Sequence, residues 1–90
     1  MRLARKVPLL HRTGLHLRAA GKFAETANQH HADVRLTVLG RGVNGKSVLE
    51  ILTLGAGPGV ELTIEAEGAD AQQALDSLEA LVRANFNEDQ

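Results

Sequence analysis

The chain has 90 residues, 43% of them hydrophobic, and a net charge of −1, a balance that excludes a disordered tail. No window approaches the roughly 18 apolar residues of a membrane span, and the absence of cysteine excludes a disulfide framework, a thiolate nucleophile and a thiolate metal site. One domain, residues 1–90, buries roughly 60–65% of its unfolded surface at this length and leaves no room for a second core or a lid.

Charge is unevenly spread. Residues 1–24 contain Arg2, Arg5, Lys6, Arg12, Arg18 and Lys22 without an acid, whereas residues 60–90 contain eight acids against Arg83 alone. Such a basic stretch attracts anionic groups or acidic partner surfaces. The apolar run after the basic start, Val7-Pro8-Leu9-Leu10, is too short for a secretory signal, so the chain reads as cytoplasmic without membrane insertion. Two phenylalanines, with no tyrosine or tryptophan, provide no stacking platform, which argues against nucleic acid as a partner.

Periodicity sets out the elements in order. Residues 3–10 alternate as a strand with Leu3, Val7 and Leu9 on one face, and Pro8 assigns it to a sheet edge because proline cannot donate to a ladder. A helix follows over about residues 17–30, with Leu17, Ala20, Phe23, Ala24 and Ala27 as its apolar stripe. Val34, Leu36 and Val38 alternate with Arg35 and Thr37, and Gly40-Arg41-Gly42 turns the chain into a short strand around Val43. Ser47-Val48-Leu49-Glu50 is a capping-box pattern that opens a short helix ending near Leu54. Val60, Leu62, Ile64 and Ala66 alternate with polar residues as a strand with one dry face. Asp70 and Gln73 form a second capping pair before a helix with Ala71, Ala74, Leu75, Leu78, Leu81 and Val82 at helical spacing.

The predicted order is β-α-β-β-α-β-α. Strands that bury one face each imply an α+β fold, a two-layer open-faced β-sandwich in which a four-stranded antiparallel sheet carries three helices on one face. Gly40 to Ser47 matches the phosphate-binding pattern G-x-x-x-x-G-K-S, and its first six residues match G-x-G-x-x-G. Both motifs belong to parallel sheets covered on both faces, and these strands alternate instead.

His16, in the run Gly14-Leu15-His16-Leu17-Arg18, marks the change from strand-like to helix-like pattern. A ring nitrogen at a helix entrance lies beside unpaired N–H groups and the positive end of the helix dipole, a favourable place for a phosphoryl group carried on that nitrogen. A neutral imidazole is a competent nucleophile near pH 7, and Arg18 can offer charge-assisted hydrogen bonds to the transferred group. No acid lies near His16 in sequence to complete a triad. The plain alternative is that the ring only caps the helix.

Gly14-Leu15-His16-x-Arg18, then Gly45-Lys46-Ser47 and Leu52-Thr53-Leu54-Gly55, on a chain of this length and element order, resembles the histidine-containing phosphocarrier (HPr) family of the phosphoenolpyruvate-dependent sugar phosphotransferase system. The resemblance covers essentially the whole chain. It implies a phosphoryl carrier with a transient phosphohistidine, rather than an enzyme, needing no cofactor and no metal. His16 would accept the group from an enzyme I-type donor and pass it to an EIIA-type or regulatory acceptor, with Arg18 holding the phosphoryl group. Ser47 matches a serine that a dedicated kinase phosphorylates in some members, which implies a regulatory binding protein as the alternative function. Its structural explanation is complete without that role, since it caps the second helix.

Leu17 and Ala19 replace the small residue and the proline of the family motif, and Thr13 replaces a common asparagine. Ala19 restores a backbone donor that proline lacks in the first turn. Leu17, with Val48, Leu49 and Leu52, forms the expected partner-docking patch, and a relay protein of this kind is most simply a monomer. His11, His30 and His31 lack the i, i+4 spacing of a helical metal pair, and His30 and His31 are expected to be solvated at a helix end.

Overall fold

The computed structural model describes residues 1–88. Strand β1 (Arg2–Pro8) leads to helix α1 (Leu17–Asn28), the hairpin β2 (Asp33–Val38) and β3 (Arg41–Asn44), the short helix α2 (Val48–Leu52), β4 (Glu61–Glu67) and α3 (Ala71–Arg83), with a 3-10 turn over Asn85–Asn87. Every strand pair is antiparallel, in the order β1-β4-β2-β3. With the three helices this is the expected α+β open-faced sandwich. Among the described residues no helix is long and apolar enough to cross a membrane.

The alternation read from the sequence is the alternation of burial. Val34, Leu36 and Val38 from β2 and Leu62, Ile64 and Ala66 from β4 are buried, and they meet Ala20, Phe23, Ala24 and Ala27 of α1 and Ala74, Leu75, Leu78 and Val82 of α3 in one core. Pro8 sits on the edge strand, where its missing N–H interrupts no ladder. The alternation outlasts the strand: Leu9 is buried, donates to the Val60 carbonyl at 2.9 Å and accepts from the Gly59 amide at 2.7 Å.

Several local expectations change. Helix α1 ends at Asn28, not His30. The hairpin turn consists of Leu39 and Gly40, both with left-handed φ (51° and 83°), while Arg41 and Gly42 already pair with Val38 and Thr37. The phosphate-loop pattern is therefore a hairpin in an antiparallel sheet, followed by a helix of five residues. Gly45 has a packing reason, because a β-carbon there would strike the Val34 side chain.

Neither capping pair is realised in full. Ser47 Oγ accepts from the Glu50 amide at 3.2 Å, but the Glu50 carboxylate accepts from the Asn44 amide instead of returning to Ser47. Asp70 makes no cap bond to its own helix; its oxygens accept from the His31 and Ala32 amides at 2.9 and 2.7 Å, tying the start of α3 to the turn after α1. His30 is consequently not solvated. Its side chain is 15% exposed and its Nδ1 lies 3.6 Å from Asp70 Oδ2.

The charge asymmetry largely cancels in space. Antiparallel pairing of β1 with β4, and packing of α3 on β1, bring Arg2 to Glu65 and Arg5 to Asp76 and Glu79.

After α3 the chain makes a turn that sequence periodicity did not signal. Asn85, Phe86 and Asn87 all have left-handed φ (53°, 57° and 58°), which asparagine tolerates and phenylalanine does not favour. Burial offsets the strain, because Phe86 is completely enclosed. Phe86→Ala should therefore destabilise the fold by about 3–5 kcal/mol in urea unfolding, the range for a buried aromatic truncated to alanine. A loss below ~1 kcal/mol would show that this segment does not pack on the core.

Candidate functional site

The loop between β1 and α1 is shaped by Gly14, whose φ is 68° and whose α-carbon lies so close to the chain opposite that a β-carbon would run into the Ala56 carbonyl. That carbonyl accepts from the Leu15 amide at 2.9 Å, and Leu15 is buried. His16 then emerges with extended backbone (φ −76°, ψ 179°), and its own carbonyl accepts the first helical bond, from the Ala20 amide at 2.8 Å. His16 is thus the N-cap of α1. Its Nδ1 accepts from the Arg18 amide at 3.2 Å, the geometry more often supplied by serine or aspartate.

That bond assigns the ring's protons. With an N–H pointing at it, Nδ1 carries the lone pair and Nε2 carries the hydrogen. Nε2 lies 3.2 Å from Oε1 of Glu88, and His11 Nε2 reaches the same oxygen at 2.9 Å. His11 has the same tautomer for the same reason: its Nδ1 faces the Thr13 amide at 3.3 Å and the Thr13 hydroxyl at 2.8 Å. The two rings stand 5.0 Å apart.

Glu88 is the residue that sequence reasoning missed. The expectation that no acid completes the site held only along the chain; the turn over Asn85–Asn87 brings Glu88 back to the start of α1. Lys22 helps, donating to the Phe86 carbonyl at 2.8 Å. The carboxylate is 12% exposed, with Arg18 Nε and Lys22 Nζ 3.6 and 3.7 Å from Oε2. Burial pushes its carboxyl pKa up, but the His11 hydrogen bond and the charges of Lys22, His16 and Arg18 outweigh that and hold it below the usual glutamate value.

His11, His16 and Glu88 place three possible ligand atoms within 4.8 Å of one another, a grouping that helical spacing could not reveal. The donor set suits shared protons better than a cation. Both Nε2 atoms carry hydrogen in this network, and the carboxylate already has two cations beside it.

The other expected site residues are distributed as follows. The Arg18 side chain is 74% exposed at the rim, and Leu17 projects outward instead of joining the buried stripe of α1. Leu49 is exposed on α2, Val48 and Leu52 are half-buried against the core, and Ile51 is the residue that anchors this helix. Helices α1 and α2 pack on each other, so Leu17 and Leu49 lie on adjoining elements. Ser47 is half-buried and engaged as a cap.

A family model described as "PTS HPr component phosphorylation site" matches residues 3–84. The phosphocarrier protein HPr of Cupriavidus necator is 36% identical over 86 residues, 96% of this chain and 97% of that protein. The HPr-like protein Crh of Bacillus subtilis, a solution structure of which is called the catabolite repression HPr, is 40% identical over 78 residues, 87% of this chain and 92% of its own. Among solved structures, HPr-C-His from Thermoanaerobacter tengcongensis superposes with a TM-score of 0.93 at 30% identity, covering 98% of this chain and 99% of that one.

A carboxyl whose pKa falls on folding stabilises the native state above its unfolded value of about 4.3, and that stabilisation disappears as pH falls through the lower folded value. Glu88→Gln should therefore reduce the urea midpoint at about pH 7 and have a vanishing effect at about pH 2, where both side chains are uncharged. An equal effect at both pH values would place the contribution of Glu88 in packing, not in charge.

Proposed function

Because the chain belongs to the HPr phosphocarrier family of the sugar phosphotransferase system, we propose that His16 accepts a phosphoryl group on Nδ1 from a phosphoenolpyruvate-charged enzyme I and passes it to an EIIA-type or regulatory acceptor. The observation that carries this reading is the Arg18 amide on Nδ1 of a ring 30% exposed at the mouth of α1.

The chemistry follows from that bond. The Nδ1 lone pair forms the N–P bond while the donor's own bond to phosphorus breaks. As the Arg18 amide is released from Nδ1, it turns to a phosphoryl oxygen, joined by the other first-turn N–H groups that have no intrahelical acceptor. The ring gains positive charge while retaining hydrogen on Nε2, and Glu88 stands against that hydrogen to stabilise it. Arg18, long and exposed, can swing from Glu88 to the phosphoryl group. Transfer onward reverses these steps: the next nucleophile attacks phosphorus and the electron pair returns to Nδ1. Leu17 and Leu49, exposed on adjoining helices, with Val48 and Leu52 beneath, supply the apolar surface on which donor and acceptor dock.

A second reading, regulation through phosphorylation of Ser47 without relay, is favoured by the 40% identity to the HPr-like protein Crh. The two are separated by one assay. Incubated with enzyme I and phosphoenolpyruvate, the protein should gain the mass of one phosphoryl group, lost in acid as expected of a phosphoramidate. His16→Ala should abolish the gain, and Arg18→Ala should slow it about tenfold or more, the loss of a charge-assisted hydrogen bond. Label that survives His16→Ala overturns the relay through this residue. Acid-stable label, gained from ATP and a serine kinase and lost in Ser47→Ala, with none at His16, would establish the regulatory reading.

A further inference from the structure

Glu88 belongs to the last stretch of the chain, and its place beside His16 needs a hold stronger than one exposed contact. Oε2 is sealed from solvent yet has no hydrogen-bond partner among the described residues; Arg18 and Lys22 approach it only at 3.6 and 3.7 Å. The directed bonding falls on Oε1, which accepts from His11 Nε2 at 2.9 Å, with His16 Nε2 lying 3.2 Å from the same oxygen. The His16 ring is 30% exposed and, on the reading above, must change its bonding with every transfer. His11 is different. Its side chain is 5% exposed, lies against Phe86 with ring centroids 6.0 Å apart, and has its tautomer set from behind by Thr13.

We propose that His11 is a positioning residue, a buried latch whose Nε2–H holds the Glu88 carboxylate against the reactive ring of His16. The inference deepens the phosphocarrier reading and takes its relevance from it. The latch is directional. With Nδ1 accepting from the Thr13 amide, the single N–H of the His11 ring is the one aimed at Glu88. Thr13, in exposed loop, thus acts on the site from two bonds away. The lowered pKa of Glu88 is consistent with this arrangement, since the His11 hydrogen bond opposes the effect of burial. The charged groups around the pair are Arg18 and Lys22, with Arg12 lining the same depression.

The test uses the full-length, unphosphorylated protein, so its outcome does not depend on the relay. In NMR spectra of wild-type protein the His16 Hε2 proton should be visible in slow exchange, and the Glu88 side-chain carboxyl carbon should titrate below ordinary glutamate. His11→Phe keeps an aromatic ring beside Phe86 but removes the donor. It should lose the His16 Hε2 signal and raise the Glu88 titration midpoint, whereas His11→Gln, which retains an N–H, should recover part of both. Thr13→Val removes the hydroxyl contact at 2.8 Å but keeps the backbone amide on Nδ1, so it should weaken both signatures less than His11→Phe does. A folded His11→Phe protein in which Hε2 stays protected and Glu88 titrates as in wild type would overturn the latch and reduce His11 to packing. In the phosphorylation assay, His11→Phe, Glu88→Gln and the double variant should slow transfer by a similar factor, because the two residues act as one unit. Additive losses would contradict that unit even with the NMR signatures in place, and an inert wild-type protein would defeat the relay while leaving the NMR result to decide the latch.

Discussion

The hydrogen bond from the Arg18 amide to Nδ1 of His16 is the contact around which this protein is arranged. It makes an imidazole the N-cap of α1, fixes which nitrogen has the lone pair, and points that lone pair at the amide-rich end of a twelve-residue helix. Everything nearby serves to place it. Gly14 allows the loop to pass close to Ala56, buried Leu15 anchors the loop in the core, and the extended backbone of His16 turns the ring back over the first helical turn.

The opposite nitrogen is governed by the segment that follows α3. Phe86 drives the turn after α3 into the core despite its left-handed backbone, Lys22 donates to its carbonyl, and Glu88 lands between two imidazoles. One place therefore joins core packing to the site: the packing of a hydrophobic side chain delivers the carboxylate that faces the His16 ring. The same antiparallel architecture brings basic residues from the beginning of the sequence against acids from its last third. Partners brought close by β1, β4 and α3 neutralise much of each.

Much of this was legible in the sequence, and for identifiable reasons. Alternation in 34–38 and 60–66 specified strands with one buried face, the three-and-four spacing of Ala20, Phe23, Ala24 and Ala27 specified a helix stripe, and both encode local geometry. Ser47 acted as the cap that its pattern indicated, and His16 appeared where strand pattern gave way to helix pattern. Where the sequence misled, the cause was mostly the surroundings that other segments supply. Asp70 looked like a local cap but is taken by the His31 and Ala32 amides, Leu17 fitted the apolar stripe yet lies on its margin in solvent, and Glu88 has no sequence neighbour that would connect it to His16. The one available hint was the pair of asparagines around Phe86, a composition that tolerates left-handed backbone and so permits a sharp return.

The most direct measurement is of the bond between phosphorus and nitrogen. In protein labelled with 15N-histidine and phosphorylated by enzyme I and phosphoenolpyruvate, 31P should couple to Nδ1 of His16, while Nε2 retains its hydrogen. Coupling to Nε2 of His16, or to either nitrogen of His11, would contradict the assignment of lone pair and proton on which the site's chemistry is built.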